Sequence, residues 1–342
     1  MNKKLRSNVK NILVVNSNNQ IGDVLSTLPM YAKLKDKFPL SKITFVAALT
    51  NYPIPLFDIN PYIDEVITYD KSSLNSIINF YKKLRKKKYQ IGVVQSTIKL
   101  SRTSHIINFL SGAKIRAGVS SIDGEKNNSS YLLNVEKDFQ WKNKDQTVRS
   151  LGLVDQLFQS KEAVSDNKYY DSIKINFTSE DEEAAQDFLK DLKVFPEYLI
   201  GIHPGAGKKE NTWSSENFIE LLQKINEKKK VSVVITSGTI DDEIVKKISE
   251  ELKKLNISFL AARNFEIKKL AALISCLDLY ITNDTGPMHI AGTTDVKQIS
   301  LFGPTNSNEW GPKGENKISI QSSSKNINDI TVDDVLKKIE IL

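Results

Sequence analysis

A single cysteine, Cys276, stands in 342 residues, so no internal disulfide can form and a reducing, cytoplasmic setting is the expectation. With only three histidines beside it, a Cys/His zinc cluster is excluded. No two aspartates stand two positions apart, so the Asp-x-Asp pair that clamps a metal onto a diphosphate is missing and no metal site is expected. The G-x-G-x-x-G fingerprint is absent after the first predicted strand, which disfavours a nicotinamide enzyme, and no resident cofactor is expected. Met1–Lys10 is basic but lacks the apolar stretch of a signal peptide. The longest apolar runs, such as Phe45–Leu49, are too short to span a bilayer. The chain therefore reads as soluble or peripheral.

What is present is ordinary in bulk and uneven in detail. Hydrophobic residues make up 40% and charged residues 26%, as in a globular protein, and the length predicts two domains. The net charge is +7, yet residues 1–150 carry 24 Lys+Arg against 11 Asp+Glu, while residues 151–342 carry 24 against 30. An asymmetry of this size points to an anionic partner for the first half: nucleic acid, a membrane surface or a phosphorylated acceptor. The alternative is a Lys- and Asn-rich genome composition with no partner behind it.

Short β-branched runs alternate with amphipathic stretches along the chain. Asn11–Ser17, Lys42–Ala48, Pro61–Thr68 and Ile91–Gln95 read as strands, with Val24–Phe38 and Leu74–Lys88 as helices. The polar stretch Phe158–Asp171 reads as the domain boundary, followed by a helix over Ser179–Asp191 with Ser179 as N-cap and Glu182 completing a capping box. The second half repeats the alternation: strands at Tyr198–His203, Val231–Thr236, Ile257–Ala261, Leu277–Thr282 and Gln298–Phe302, and helices at Ser215–Lys228, Asp241–Leu255, Ile267–Ser275 and from Met288. Asp329–Ile341 reads as a terminal amphipathic helix. The pattern predicts an α/β protein of two doubly wound domains with a cleft between them.

Four segments lie at predicted strand carboxyl ends, where open α/β sheets bind ligands. The first is Asn16-Ser-Asn-Asn-Gln-Ile-Gly-Asp23, in which Gly22 lets backbone approach a ligand and Asp23 stands at a helix mouth, as a functional carboxylate or as a plain cap. The second, His203-Pro-Gly-Ala-Gly-Lys-Lys209, offers N–H groups and positive charge to phosphates, although the Gly-Lys-Ser/Thr ending of a P-loop is absent. In the third, Thr282-Asn-Asp-Thr-Gly-Pro-Met-His-Ile-Ala291, Thr285 and Gly286 place free N–H groups at a helix N-terminus, Pro287 suits the first turn, and His289 is a packed histidine or a ligand contact. Leu301-Phe-Gly-Pro-Thr305 closes the same side of the sheet.

Taken in order, Ile21-Gly-Asp-Val24 with Thr27-Leu-Pro29, Phe38-Pro39 before Ile43-Thr-Phe45, His203-Pro-Gly-Ala206 with Trp213, Asn283-Asp-Thr-Gly-Pro-Met-His289 and Phe302-Gly-Pro-Thr305 resemble glycosyltransferase family nine, the lipopolysaccharide heptosyltransferases, over nearly the whole chain. The resemblance implies a GT-B fold, two Rossmann-like domains facing a central cleft: residues 1–165 for the acceptor, 166–328 for the donor, and 329–342 as a terminal helix packing back on the first domain. It implies metal-independent, inverting transfer of a heptose from a nucleotide-diphosphate heptose, usually ADP-heptose, with Asp23 as general base. Donor contacts are expected from Gly205, Lys208, Lys209, Gly238, Asp284, Thr285, Gly286, Pro287, Met288 and His289, and acceptor contacts from Asn18 and Gly22. The acceptor is expected to be an anionic, lipid-linked glycan, with peripheral contact to an anionic inner membrane and no nucleic-acid partner. One departure stands out. The family carries a basic residue two positions before the Trp, and here that position is Asn211, leaving Lys208 or Lys209 to supply the charge. The alternatives are transfer of another sugar to a capsule or protein, a nucleotide-sugar epimerase, or a non-catalytic sugar-nucleotide binder.

Overall fold

The computed structural model describes residues 8–16, 20–48, 59–95, 100–158, 167–192 and 197–342. The chain divides into two units, Met1–Lys174 and Ile175–Leu342.

The first unit runs β1 (Asn11–Val15), α1 (Ile21–Leu25), α2 (Leu28–Lys37), β2 (Lys42–Ala48), β3 (Glu65–Tyr69), α3 (Leu74–Lys86), β4 (Ile91–Val94), α4 (Arg102–Leu110), β5 (Ile115–Ile122), β6 (Glu125–Lys126), β7 (Val135–Phe139), α5 (Gln146–Asp155) and α6 (Asn167–Tyr170). Its sheet has the order β3-β2-β1-β4-β5-β6, with β7 pairing β5. All pairings are parallel except the short β5–β6 one. The central strands read as unbroken apolar runs because helices cover them: Leu13, Val15 and Val46 are buried with Phe80 and Leu84 of α3 and Ile107 of α4.

The single helix expected over Val24–Phe38 is two. Pro29 sits in the first turn of α2, where its missing N–H costs nothing, and Thr27 closes α1 by donating its hydroxyl to the Asp23 and Val24 carbonyls. Tyr169 of α6 donates its hydroxyl to Asp36 at 2.6 Å and Lys168 bonds the same carboxylate, which ties residues 167–174 to the first unit.

The second unit runs α7 (Ser179–Leu189), β8 (Tyr198–His203), α8 (Ser215–Lys228), β9 (Val231–Ser237), α9 (Asp242–Lys254), β10 (Ser258–Arg263), α10 (Ile267–Ser275), β11 (Leu279–Asn283), α11 (Gly286–Ala291), β12 (Lys297–Phe302), α12 (Ser307–Trp310), β13 (Lys317–Gln321) and α13 (Val332–Ile339). The order β10-β9-β8-β11-β12-β13 is wholly parallel, the doubly wound arrangement. The N-cap of α7 is Thr178, with Asp181 completing the capping box, one position before the expected Ser179–Glu182 pair. The terminal helix contributes to the core of the second unit. Val332 and Val335 lie in the same core as Ile200, Trp213 and Ile299, so the apolar face of α13 is satisfied within the second unit. Among the described residues, no helix is long and apolar enough to cross a membrane.

Both sheets reverse strand order beside their first strand, between β1 and β4 and between β8 and β11. These are the switch points at which helices diverge to opposite faces and leave strand ends open to a ligand.

Candidate functional site

At the switch point of the first unit, β1 delivers the chain into α1, whose first turn carries Asp23. Asn18 lies outside the described residues. Gly22 is buried, and Asp23 is partly buried. The Gln20 backbone N–H donates to the Asp23 carboxylate, the reciprocal half of a capping box. Burial outweighs that bond and raises the Asp23 carboxyl to about 6. The group is thus ionised at neutral pH but holds a proton far more tightly than an ordinary aspartate, the setting that suits a general base.

The second unit's switch point is built around Asn283, the last residue of β11. Its side-chain amide donates to the carbonyls of Pro204 at 2.8 Å and Gly205 at 3.2 Å. Its side-chain carbonyl accepts the Trp213 backbone N–H at 3.2 Å. Trp213 is fully buried, donates its indole N–H to Ile330 and packs edge-on against Phe218. One asparagine therefore fixes both the loop after β8 and the approach to α8.

That loop is tightly constrained. His203 is buried, with Nδ1 at 3.1 Å from the Thr236 hydroxyl, and burial lowers its imidazole to about 4, so it is neutral at pH 7. A side chain at Gly205 would strike Asp241, whose Oδ1 lies 2.1 Å from the position a Cβ would take. The Gly238 N–H donates to the same carboxylate at 2.7 Å. Two glycines expected to face a ligand thus meet at a buried aspartate that the sequence did not mark. The Gly238 N–H is engaged internally.

Asp284 follows Asn283. Its carboxylate accepts from Asn211 Nδ2 at 3.1 Å. Burial raises its pKa, opposed by a hydrogen bond from Thr305 and by the charge of Lys208. Lys208 is therefore the lysine whose field reaches the site. Lys209 is exposed at the start of a 3₁₀ turn, Lys209–Asn211. Thr305 brings the Phe302–Thr305 segment beside Asp284.

Thr285 is the N-cap of α11, with no side-chain capping bond, and Pro287 lies in the first turn. The first-turn N–H groups of Gly286 and Met288 have no partner within a helix. Two buried oxygens here, Thr285 Oγ1 and Asn211 Oδ1, have no hydrogen-bond partner among the described residues. Such orphans are uncommon and leave two polar atoms able to bond a ligand or water. Met288 is fully buried. His289 lies edge-on to Trp310, centroids 5.9 Å apart, and burial lowers it to about 4, so it is a neutral hydrogen-bonding group.

The sequence reading missed Asp241, Trp310 and the Asn211–Asp284 contact. Asp241 carries a weak signal, three residues after a glycine that ends a strand. Trp310 carries none, since its relation to His289 depends on the packing of α12.

Two doubly wound units with polar strand-end loops at both switch points define a GT-B fold, the architecture of nucleotide-sugar transferases and their relatives. The profile of Glycosyltransferase family 9 (heptosyltransferase) matches residues 77–340, and the chain belongs to that family. Lipopolysaccharide heptosyltransferase 3 of Escherichia coli K12 is 24% identical over 87% of this chain and 84% of its own length. Lipooligosaccharide heptosyltransferase 2 of Campylobacter jejuni is 30% identical over 33% of this chain, a match that spans 36% of that relative. Among solved structures, the family 9 glycosyl transferase of Veillonella parvula superposes with a TM-score of 0.76 at 21% identity, covering 98% of this chain and 97% of that one. Escherichia coli ADP-heptose heptosyltransferase II does so at 0.72 and 18%, covering 96% and 97%.

Proposed function

We propose that the protein transfers a heptose, with inversion and without a metal, from a nucleotide-diphosphate heptose such as ADP-heptose to a lipopolysaccharide core or related surface glycan. The observation that carries the mechanism is Asp23: a partly buried carboxylate at a strand end, raised to about 6. In that role it takes the proton from an acceptor hydroxyl as the oxygen attacks the anomeric carbon from the face opposite the leaving diphosphate, which inverts the centre. Gly22 lies beside it, where the backbone can approach the acceptor.

The donor diphosphate is assigned to the first turn of α11, where backbone N–H groups and the helix dipole favour anions. The orphaned Thr285 Oγ1 supports this, and Lys208 adds positive charge close by. Asn211, in place of the family's cation, binds Asp284 through its amide and keeps an unpaired oxygen for a sugar hydroxyl or water. Metal independence is supported by the missing Asp-x-Asp pair and by these alternative charges.

The acceptor side is read as working next to an anionic membrane. On α3, Leu74 and Ile78 are 78% and 49% exposed. At about 100° per residue they fall on one stripe with Lys82 and Arg85. Lys83 and Lys87 instead face Glu65. Exposed apolar residues followed by cations suit the interface of anionic lipids.

Incubation of the protein with ADP-heptose and a core acceptor in EDTA tests the central reading. Turnover that survives the chelator and is lost in Asp23→Asn is expected. Full turnover in Asp23→Asn would reduce Asp23 to a helix cap, and a need for magnesium or manganese would overturn the metal-free mechanism. Salt-sensitive sedimentation with phosphatidylglycerol vesicles, weakened in Leu74→Ser/Ile78→Ser, is the expected membrane result. Equal binding to neutral vesicles would leave α3 a solvated face.

A further inference from the structure

Helix α11 has only six residues, too few to be stable through its own hydrogen bonds. Its orientation must come from outside. At its carboxyl end the chain turns through Gly292–Val296 into β12, and the helix's last carbonyls have no partner within it.

The Ala291 carbonyl accepts from the Thr294 N–H and hydroxyl, and the donor that ties this end to the sheet is Lys317, the first residue of edge strand β13. Its ammonium nitrogen lies 3.1 Å from the Ala291 carbonyl, 2.8 Å from that of Thr294 and 2.6 Å from that of Val296. An ammonium has three protons, and all three are matched to backbone oxygens. The three bonds go to carbonyls rather than to a carboxylate, although the side chain is partly buried and burial lowers its pKa to about 8 against the opposing charge of Asp295. A cation at a helix carboxyl end also opposes the negative pole of the dipole. Around it, Gln298 donates to the Met288 carbonyl at 2.9 Å, and Asn316 donates to the Asp295 carbonyl at 2.6 Å. The rear of the helix is therefore held by β12 and β13, while its front presents Thr285 and free N–H groups.

We infer that Lys317 is a positioning residue for the donor site: by fixing the carboxyl end of α11 it holds the first-turn N–H groups and Thr285 where a diphosphate meets them. The inference rests on the reading that α11 binds the donor diphosphate. Lys317 itself is one helix length away from that end and touches no substrate. Methionine, similar in length but without charge or donors, would take the ammonium from the Thr294 carbonyl, leave the Ala291 carbonyl to the Thr294 N–H and hydroxyl and that of Val296 to Asn316, and cut the tie between the helix end and β13.

The test has two arms. In the first, amide hydrogen exchange is compared between wild type and Lys317→Met without ligand. Faster exchange confined to residues 288–294, with β8 and β9 unchanged, is expected. In the second, calorimetry with ADP and with adenosine is run on both proteins and on Lys317→Arg. Lys317→Met should weaken ADP by about tenfold, the scale of a lost charged hydrogen bond only partly transmitted, while adenosine changes less than about twofold. Lys317→Arg, which keeps the charge and is the safer variant for folding, should recover most of the ADP affinity. With saturating donor, kcat should stay near wild type while the donor KM rises. Wild-type exchange at residues 288–294 together with wild-type ADP affinity in Lys317→Met would overturn the inference. ADP and adenosine falling equally would overturn it too, since that marks general damage. A wild-type protein that binds adenosine but gains nothing from the diphosphate would overturn the donor reading itself. In that case the exchange arm still decides whether Lys317 holds the helix.

Discussion

The two units share a strand order up to their fifth strand and use the same switch point, yet they furnish it with opposite materials. The first places a single carboxylate, Asp23, with one backbone donor and a raised proton affinity. The second places a web in which Asn283 ties two loops, Asp241 fills the space above Gly205, and Asp284 is held by Asn211 and Thr305. One topology thus supports a group poised to change protonation and, separately, a cluster poised to stay fixed. The fold supplies the location and the strand-end residues supply the role.

If that division is right, the largest effect belongs to Asp23. Its removal should lower kcat by about 10²–10⁴ with donor affinity nearly unchanged. The base works as a carboxylate, so kcat/KM should be flat above its pKa of about 6 and fall tenfold per pH unit below it. Asp23→Asn should show a low rate without that limb. A wild-type profile with no limb near 6 would place the essential base elsewhere.

In the second unit the largest effect should be structural and should spread to binding. Asn283→Ala strands the Trp213 N–H and the Pro204 and Gly205 carbonyls in a buried setting. A loss of about 2–4 kcal/mol of stability is expected in urea, with ADP affinity falling as the loops loosen. A variant as stable as wild type with unchanged ADP binding would show that the loops hold themselves.

A smaller effect separates the two lysines. Both lysines are exposed, but the charge of Lys208 bears on Asp284, while Lys209 heads the following turn. Lys208→Ala should weaken ADP by about tenfold, and Lys209→Ala by less than about twofold. Equal effects would mean that the loop closes both cations over the diphosphate. No effect of either would leave Asn211 uncompensated and favour a non-catalytic binder.

Much of this comparison is legible in the sequence. The buried strands announce themselves as β-branched runs, and the candidate loops follow strand ends because Gly, Asn, Asp and Pro cluster there. What is illegible depends on distant partners. The break between α1 and α2 follows from Thr27 and Pro29, both local. The place of α13 does not: an amphipathic helix shows that it has a partner but not which sheet provides it. Residues 100–157 carry no clear pattern, since α4, β5, β7 and α5 mix polar and apolar residues and the β5–β7 pairing has a bulge between Val119 and Ser121. β13 escapes a sequence reading because its half-exposed face weakens the apolar run. Asp241 and Lys317 are ordinary charged residues until the fold brings glycines to one and carbonyls to the other.

The smallest expected effect reveals most about how the first unit differs from the second. Asp23 has a folded pKa of about 6 against an unfolded value near the ordinary 3.8, so the folded chain binds the proton more tightly. A raised carboxyl favours the folded state while it is protonated and disfavours it once ionised, so stability is lost as pH rises from about 4 through 6. A rise of that size corresponds to at most about 3 kcal/mol, and partial exposure of the side chain reduces this to about 1–2. Asparagine cannot ionise, and its oxygen can still accept the Gln20 N–H. Asp23→Asn should therefore melt a few degrees above wild type at pH 7.5, and the advantage should vanish near pH 4. Scanning calorimetry of both proteins at the two pH values measures it. An inactive variant that is also the more stable one would mark Asp23 as a carboxylate kept for chemistry at the expense of the fold. A variant less stable at both pH values would show that its bond to Gln20 matters more than its burial, returning Asp23 to the role of a helix cap and making the two switch points alike after all.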